Sequence, residues 1–249
     1  MTSAPQRISF VIPAKDEEGR LGASLERLIA FVQTQPYESE LIVVDDGSSD
    51  RTADIAREAE RSAPPNVSVR LLQHEVNRGK GAAVRTGVLA ATGEYILYMD
   101  ADLAVPPEEV PKLIALLDAG ADVAAGTRVQ PGGFDMRASQ PFYRRIGGRM
   151  FAIARRRLLL SQVEDTQCGF KGFRHAAAHK IYPRSRLDVW SFDTELLYIA
   201  QRLKLSVKEV PVQWQHMEGS RFKLGAGSAL SELRDLLRIL WLHRGLRPS

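Results

Sequence analysis

The sequence predicts an α/β fold in which helices cover both faces of a mostly parallel β-sheet. Short apolar runs alternate along the chain with segments whose apolar residues recur at helical spacing. The apolar runs are nearly continuous, which is typical of parallel strands that are buried on both faces. The chain has 249 residues, of which 44% are hydrophobic, so it can bury one core of this kind.

Five strands and four helices are predicted in the first half of the chain. The strands span residues 8–13, 40–44, 67–72, 95–99 and 122–126. The helical segments between them span residues 17–32, 51–62, 79–91 and 106–118. In the first helix Leu21, Leu25 and Leu28 follow helical spacing. Pro106 and Pro107 stand in the first turn of the fourth helix, where proline is tolerated.

The second half of the chain is less regular. Its predicted elements are a loop over 130–139, a basic helix over 141–160, a strand over 169–174, a helix over 192–203 and a strand over 207–214. The last helix, 228–243, is amphipathic, and we expect its apolar face to pack on the core. That face contains Leu230, Leu233, Leu237, Leu240 and Trp241. Without a repeat or a linker, the chain is predicted to form a single domain, residues 1–249.

Arginines are concentrated in the window 128–157, which contains eight of them and one acidic residue, Asp135. Because the whole chain has a formal net charge of only +4, this window indicates an anionic partner: phosphate groups, an anionic membrane or nucleic acid. A solvated helix face is the alternative. The single cysteine, Cys168, excludes an internal disulfide and a cysteine-based zinc site. With no long apolar run and no signal peptide, we expect a cytoplasmic protein.

Two aspartates, Asp100 and Asp102, follow the fourth predicted strand. Residues two apart in an extended chain point to the same side, so these carboxylates can share one hard cation. Magnesium and manganese prefer such oxygen ligands and complete their shells with water and substrate phosphates. An acidic turn is the simpler alternative, but ligands of open α/β sheets bind at the carboxyl ends of strands. We therefore expect a Mg²⁺ or Mn²⁺ site here.

Two further polar segments follow predicted strands. Asp45 and Asp46 begin an Asp-Asp-Gly-Ser sequence, which either forms a turn and helix cap or supplies a carboxylate to a base or ribose. Residues 77–81, Asn-Arg-Gly-Lys-Gly, open a helix with two glycines and two cations, which suits a phosphate near the helix N-terminus. The spacing matches neither a P-loop nor G-x-G-x-x-G.

Taken together, these motifs resemble the family 2 glycosyltransferases with the GT-A fold. The matching motifs, in order, are Pro13-Ala14 with Glu17, residues 44–48, Asn77-x-Gly79-Lys80-Gly81 and Asp100-Ala101-Asp102. In the second half, residues 165–171, residues 190–200 and Glu218-Gly219-Ser220 resemble the dolichyl-phosphate glucosyltransferases. Ala104 also resembles the glucosyl branch, since mannosyl relatives usually carry glutamine there. The resemblance extends from about residue 8 to residue 221.

The resemblance implies a metal-dependent, inverting transfer of glucose from UDP-glucose to a polyprenyl (dolichyl-type) phosphate. It implies a donor half over about 7–127, an acceptor half over about 128–227, and the amphipathic helix over about 228–244. The implied nucleotide-sugar site contains Pro13, Ala14, Glu17, Asp45, Asp46, Gly79, Lys80, Asp100 and Ala101. Asp100 and Asp102 are the implied metal ligands. Arg128, Arg144 and Lys171 are the implied contacts of the acceptor phosphate.

Asp165, Asp193 and Arg128 are the implied catalytic residues. Either aspartate could act as a base, orient an arginine, contact glucose hydroxyls or serve only the structure. A phosphate monoester has a second pKa of about 6, so it is mostly dianionic near neutral pH and does not require a strong base. We expect both aspartates to line the site, with Asp193 nearer the sugar.

The chain departs from the family pattern at two points. Lys15 and Asp16 stand where the family usually has an aromatic residue and an asparagine. No membrane helix is present, so a lipid acceptor requires peripheral contact with the inner face of the membrane, through the basic helix or the last helix. The alternatives are a soluble or glycan acceptor with the same donor, or a GDP-mannose-using polyprenyl-phosphate mannosyltransferase. Nucleic-acid binding is disfavoured because the aromatic residues of the basic window are scattered.

Overall fold

The computed structural model describes residues 7–131, 163–189, 191–215 and 228–246. In these ranges seven strands form one sheet, in the spatial order β3-β2-β1-β4-β6-β5-β7. The strands are β1 (Arg7–Ala14), β2 (Glu38–Asp45), β3 (Val67–Gln73), β4 (Tyr95–Met99), β5 (Val123–Thr127), β6 (Phe170–Arg174) and β7 (Val207–Pro211). The sheet confirms the predicted α/β class and the position of every predicted strand within a few residues.

Seven helices are described. They are α1 (Leu21–Gln33), α2 (Thr52–Ser62), α3 (Lys80–Ala90), α4 (Val110–Asp118), α5 (His175–Ile181), α6 (Phe192–Arg202) and α7 (Ser228–Leu242). Short 3₁₀ turns at Pro107–Glu109 and Tyr182–Arg184 precede α4 and follow α5. Helix α5 is not predicted from the sequence, because its seven residues are too few to show a helical period.

Alternation along the central strands divides the core into two layers. In β1, Ile8, Phe10 and Ile12 face one layer and Val11 faces the other, as expected for a strand whose side chains alternate between faces. Helices α1, α2 and α4 cover the first layer, and α3, α5, α6 and α7 cover the second. Both faces of the sheet are therefore buried, which explains the continuous apolar runs in the sequence.

The sheet is parallel except at β6. Strands β1, β2, β3 and β4 are mutually parallel, and β5 is parallel to β7. Strand β6 lies antiparallel between β4 and β5, with Phe170 paired to Met99. This reversal brings the beginning of β6 to the edge at which β1, β2 and β4 end, so both halves of the chain contribute to that edge.

The expectation for the last helix is wrong for two of its five apolar residues, Leu237 and Trp241. Leu240 is partly buried against the core, as expected, and the side chains of Leu230 and Leu233 lie outside the described residues. Leu236 and Ile239 are buried in the core, whereas Leu237 and Trp241 are exposed. In the described ranges, no helix is both long and apolar enough to cross a bilayer. The predicted basic helix and most of the predicted loop over 130–139 lie outside the described residues, as do Arg144 and Glu218-Gly219-Ser220.

Candidate functional site

The polar side chains predicted from the sequence gather at the edge where the parallel strands end. Asp45 is the last residue of β2, Asp100 follows β4, and Gly169 precedes the antiparallel β6. Lys80 begins α3 and Asp193 lies in the first turn of α6. This is the edge at which open α/β sheets bind ligands.

The Asp100 carboxylate is held between a cation and a glycine. The Lys80 ammonium forms a salt bridge with Oδ1 of Asp100 at 2.5 Å. A Cβ atom at Gly169 would overlap the whole carboxylate, so only glycine fits beside this rotamer. Burial lowers the pKa of Lys80, but the charges of Asp100, Asp193 and Asp102 outweigh burial and raise it. Lys80 therefore stays charged in a pocket of carboxylates.

Asp102 lies in a tight turn directly after Asp100. Its Oδ1 accepts a hydrogen bond from the Ala104 amide at 3.0 Å. Burial and the charge of Asp100 raise the pKa of Asp102, although the Ala104 amide, Arg20 and Lys80 act in the opposite direction. Two like charges that are partly withdrawn from water form a site that a bound cation would stabilise. Ala101, between the two aspartates, is buried.

The donor set fits a hard divalent cation that shares its shell with a ligand. Asp100 and Asp102 supply carboxylate oxygens, which Mg²⁺ and Mn²⁺ prefer. Among the described residues no group of three or more His, Cys, Asp or Glu side chains could hold a metal. Two carboxylates therefore need oxygen ligands from water and phosphate, which is how Mg²⁺ is usually bound.

Asp46 is buried and shapes the loop before α3. Its two carboxylate oxygens accept hydrogen bonds from the Arg78 and Gly79 amides at 2.9 and 2.8 Å, and Nδ1 of His74 lies 2.7 Å from Oδ1. Nε2 of His74 lies 2.9 Å from the Thr86 hydroxyl. Gly79 has φ +99°, which favours glycine. The resemblance implies a nucleotide contact for Asp46, and the structure shows it bonded to the loop that carries Lys80.

Asp45 is also hydrogen-bonded within the protein. Its Oδ1 accepts from the Ser48 amide and its Oδ2 from the Gln73 side chain, each at 3.0 Å. Pro13 and Ala14, at the end of β1, pair with the end of β2 in parallel register and lie beside this turn. Pro13, Ala14 and Asp45 therefore lie side by side at the carboxyl ends of β1 and β2.

The segment after β1, which begins at Lys15, contacts the loop that follows β2. The Lys15 ammonium donates to the Gly47 carbonyl at 2.7 Å. Asp16 has φ +49°, a conformation that Asp and Asn tolerate better than most residues. The Glu17 carboxylate pairs with Arg20, and this hydrogen bond, against the opposing effect of burial, raises the pKa of Arg20. Lys15 and Asp16, which depart from the family pattern, thus hold the first two loops together.

Asp193 lies in a buried network with a lysine and a tyrosine. Its Oδ1 accepts from the Lys171 ammonium at 2.6 Å and from the Tyr98 hydroxyl. Lys171 is fully buried, and it also donates to the Cys168 carbonyl at 2.6 Å. Burial and Asp193 raise the pKa of Tyr98 well above its usual value. The resemblance implies an acceptor-phosphate contact for Lys171, but its ammonium is bonded to Asp193 inside the core.

Asp165 forms a bidentate ion pair with Arg128. Its two oxygens accept from Nε and Nη2 of Arg128 at 2.6 and 2.7 Å, and the Arg128 amide donates to Oδ2 at 3.1 Å. The guanidinium lies 5.7 Å from the centre of the Trp214 ring. The Glu209 carboxylate accepts a hydrogen bond from the Asp165 amide at 3.0 Å, and burial raises the pKa of Glu209. Of the roles left open for Asp165, the geometry favours orientation of an arginine.

Sequence reasoning misses a second buried carboxylate of α6. Glu195 is fully buried and accepts hydrogen bonds from two amides of the loop before α6 and from Nε2 of His243, at 2.7 Å. Ser191, two residues before Asp193, donates to Asp235 of α7 at 2.7 Å. Glu195 lies within the motif 190–200, and its place in that motif is the signal that could have identified it. These contacts fix α7 against the N-terminal end of α6, where Asp193 lies.

Comparisons with known proteins identify the family of the chain. Residues 9–182 match the family model described as "Glycosyl transferase family 2". The dolichyl-phosphate beta-glucosyltransferase of Dictyostelium discoideum is 34% identical over 243 residues, which cover 93% of this chain and 73% of the relative. The human enzyme of the same name is 33% identical over 88% of this chain and 70% of its own length.

A solved structure gives the same fold at low identity. The glucosyl-3-phosphoglycerate synthase of Mycobacterium tuberculosis, in complex with uridine diphosphate, superposes with a TM-score of 0.69 at 20% identity. The superposition covers 98% of this chain and 82% of that one. At this identity the likeness is one of fold.

Proposed function

The chain belongs to glycosyl transferase family 2, and we propose that it transfers glucose from UDP-glucose to a polyprenyl (dolichyl-type) phosphate with inversion at the anomeric carbon. The observation that carries this proposal is the cluster of Asp100, Asp102 and Lys80 beside Asp193 at the carboxyl edge of the sheet. The names of the relatives, which are 30–36% identical, favour glucose as the sugar and a dolichyl-type phosphate as the acceptor. The choice of UDP-glucose is supported by a structural neighbour that was solved with this donor.

The donor diphosphate is proposed to bind at the Asp100 end of the site. Asp100 and Asp102 would hold Mg²⁺ or Mn²⁺, which supplies a positive charge to a departing diphosphate. Lys80 contributes a second positive charge at the same place, and Asp46 keeps the Lys80 loop in position through the Arg78 and Gly79 amides. As UDP departs, its developing negative charge is stabilised by these fixed charges.

The acceptor phosphate is proposed to approach from the Arg128 side. A phosphate oxygen forms a bond to C1 of glucose while the bond between C1 and the UDP oxygen breaks, which gives inversion. Because the phosphate is already mostly dianionic near neutral pH, no proton need be removed. Asp165 then serves as a positioning residue that sets the plane of the Arg128 guanidinium, a group suited to phosphate oxygens.

Asp193 is proposed to contact the sugar, with Lys171 and Tyr98 as its positioning residues. Their hydrogen bonds to Oδ1 fix the rotamer of Asp193 from the core side. Lys171 is thereby proposed as a support for the sugar contact, in place of the phosphate contact that the resemblance implies. The enzyme is proposed to meet its lipid acceptor by peripheral contact with the inner face of the cytoplasmic membrane.

The test is a UDP-release assay with UDP-glucose, UDP-galactose, UDP-GlcNAc and GDP-mannose, each with Mg²⁺ or Mn²⁺ and with or without a short-chain polyprenyl phosphate. We expect release that requires UDP-glucose, the metal and the lipid together. Asp102→Asn should abolish it, and Asp54→Asn, on the exposed surface of α2, should not. Turnover with 3-phosphoglycerate but with no lipid phosphate would contradict the proposed acceptor, and preference for GDP-mannose would contradict the proposed donor.

A further inference from the structure

Helix α7 buries one face and leaves a second apolar face in solvent. Leu236, Ile239 and His243 are buried against the core, at spacings of three and four residues. Leu237 and Trp241 are 53% and 62% exposed, and they lie one helical turn apart. Neighbouring large apolar side chains that stay in solvent form a patch of the kind that marks interaction surfaces.

The exposed side of α7, which we call the stripe, contains positively charged side chains beside Leu237 and Trp241. Among the residues whose side chains the structure describes, it contains no carboxylate. Arg234, Arg238 and Arg244 are exposed, and the guanidinium of Arg244 lies 5.2 Å from the centre of the Trp241 ring. Asp235 is the single acidic residue between positions 234 and 246, and it accepts the hydrogen bond from Ser191. The stripe therefore combines aromatic and aliphatic surface with three positive charges.

A cationic groove adjoins the end of the helix. It has a volume of about 270 Å³ and is lined by Arg184 and Arg186 together with the last residues of the α7 region, Leu242, His243, Gly245 and Leu246. Its two arginines add positive charge at the C-terminal end of α7.

We propose that a docking face formed by Arg234, Leu237, Arg238, Trp241 and Arg244 binds the surface of an anionic phospholipid bilayer. An indole at headgroup level with arginines beside it is the arrangement that helices lying in the interface use. Anionic lipids complement the positive charge, whereas a second copy of the chain would bring its own arginines against it. The inference rests on the proposed function, because a polyprenyl phosphate acceptor lies in such a bilayer.

The inner face of α7 connects this surface to the reaction site. Ser191 lies just before α6 and Glu195 lies within it, two residues on either side of Asp193. They bond to Asp235 of α7 and to His243, which directly follows α7. A bilayer bound on the outer face thus lies one helix away from the proposed sugar contact. Docking would bring a membrane-embedded acceptor near the site.

The test is sedimentation of the full chain with vesicles of phosphatidylcholine alone or with phosphatidylglycerol added. We expect binding only with the anionic lipid, and Arg234→Gln with Arg238→Gln should weaken it about 30-fold, from the usual contribution of each basic residue near an anionic surface. Brominated lipids should quench tryptophan fluorescence, and Trp241→Phe should remove that quenching. The matched control combines Arg57→Gln with Arg61→Gln, which removes two exposed arginines at the same spacing on α2.

Equal vesicle binding by the double arginine variant and the control would overturn the docking face. So would dimerisation of the wild-type chain that Trp241→Phe abolishes, since a second copy would then be the occupant. These readouts do not depend on turnover. A failure of UDP release with every short-chain lipid phosphate would refute the proposed function and leave the vesicle result standing.

Discussion

Replacement of Gly169 by alanine should disable the site without unfolding the protein. Cγ and Oδ1 of Asp100 would lie 2.5 Å from the new Cβ, whereas ordinary contact begins near 3.4 Å. The carboxylate must therefore move by about 1 Å, and because its side chain is 34% exposed it can swing towards solvent. The overlap is relieved by a side-chain rotation, so the backbone of β6 need not shift.

The size of the effect follows from that displacement. A misplacement of about 1 Å in a positioned group typically costs about 100-fold in rate. We therefore expect Gly169→Ala to lower turnover of UDP-glucose by about 100-fold and to weaken Mn²⁺ binding. The free energy of unfolding should change by less than about 1 kcal/mol, because no core group is removed and alanine restricts the unfolded chain more than glycine does.

The assay is steady-state UDP release, with Mn²⁺ affinity measured by titration calorimetry and stability by urea unfolding. Gly22→Ala is the control, since its Cβ would make only an ordinary contact of 3.7 Å with Ile55. Asp100→Asn should add little to Gly169→Ala if both act through one carboxylate. Turnover within twofold of the wild type, or strictly additive losses in the double variant, would refute this reasoning.

Three further substitutions test other buried contacts. Glu40→Gln should cost about 2 kcal/mol at pH 7. Burial would raise the pKa of Glu40, but hydrogen bonds from Ser9, Thr92 and Arg70 outweigh burial and lower it. The stabilisation by Glu40 is therefore fully present above pH 4.5 and is lost as the pH falls through the lowered pKa of the folded protein. A difference in urea midpoints between the wild type and the variant that persists unchanged well below pH 4.5 would contradict this. Arg128→Lys keeps the positive charge but loses the bidentate pair with Asp165. It should lower kcat/KM for the acceptor about 10- to 100-fold while the donor KM is unchanged. An equal loss of kcat/KM for the donor and the acceptor would count against this role of Arg128. His74→Phe leaves Asp46 short of a partner, and should raise donor KM and destabilise by about 1–3 kcal/mol; unchanged donor KM would show that His74 does not hold the loop.

Local patterns are sufficient for the strands and for the location of the site. Most strands of the first half are nearly continuous apolar runs, and the polar residues that follow such runs must lie at the strand ends. The apolar pattern alone therefore places Asp100 and Asp102 at the sheet edge. Local patterns do not predict α5, because a helix of seven residues is too short to show a period. They also do not predict the antiparallel direction of β6, because strand direction depends on which neighbours a strand pairs with.

The partners of the charged side chains cannot be read from the sequence. The resemblance assigns Lys171 to an incoming phosphate, yet it is 22 residues from Asp193 in the chain and 2.6 Å from it in the fold. The resemblance assigns Asp46 to the nucleotide, yet it is 28 residues from His74 and 2.7 Å from it. Residue types specify which bonds a side chain can make, but not which of many distant partners the fold brings near.

The sequence by itself determined the α/β class and the placement of Asp45, Asp46, Asp100 and Asp102 at the ends of strands, because these depend on periodicity and on neighbours within a few residues. That this edge binds a ligand and that Asp100 and Asp102 hold a metal stay predictions. Only the tertiary structure decided which carboxylates are bound internally, that Gly169 makes room for Asp100, and that Leu237 and Trp241 of α7 face outward. The physical reason is the same in each case. Burial and pairing depend on residues that are distant in the chain and meet only in the fold. The last helix has apolar residues on more than one side, and only packing against the core shows which of them are buried.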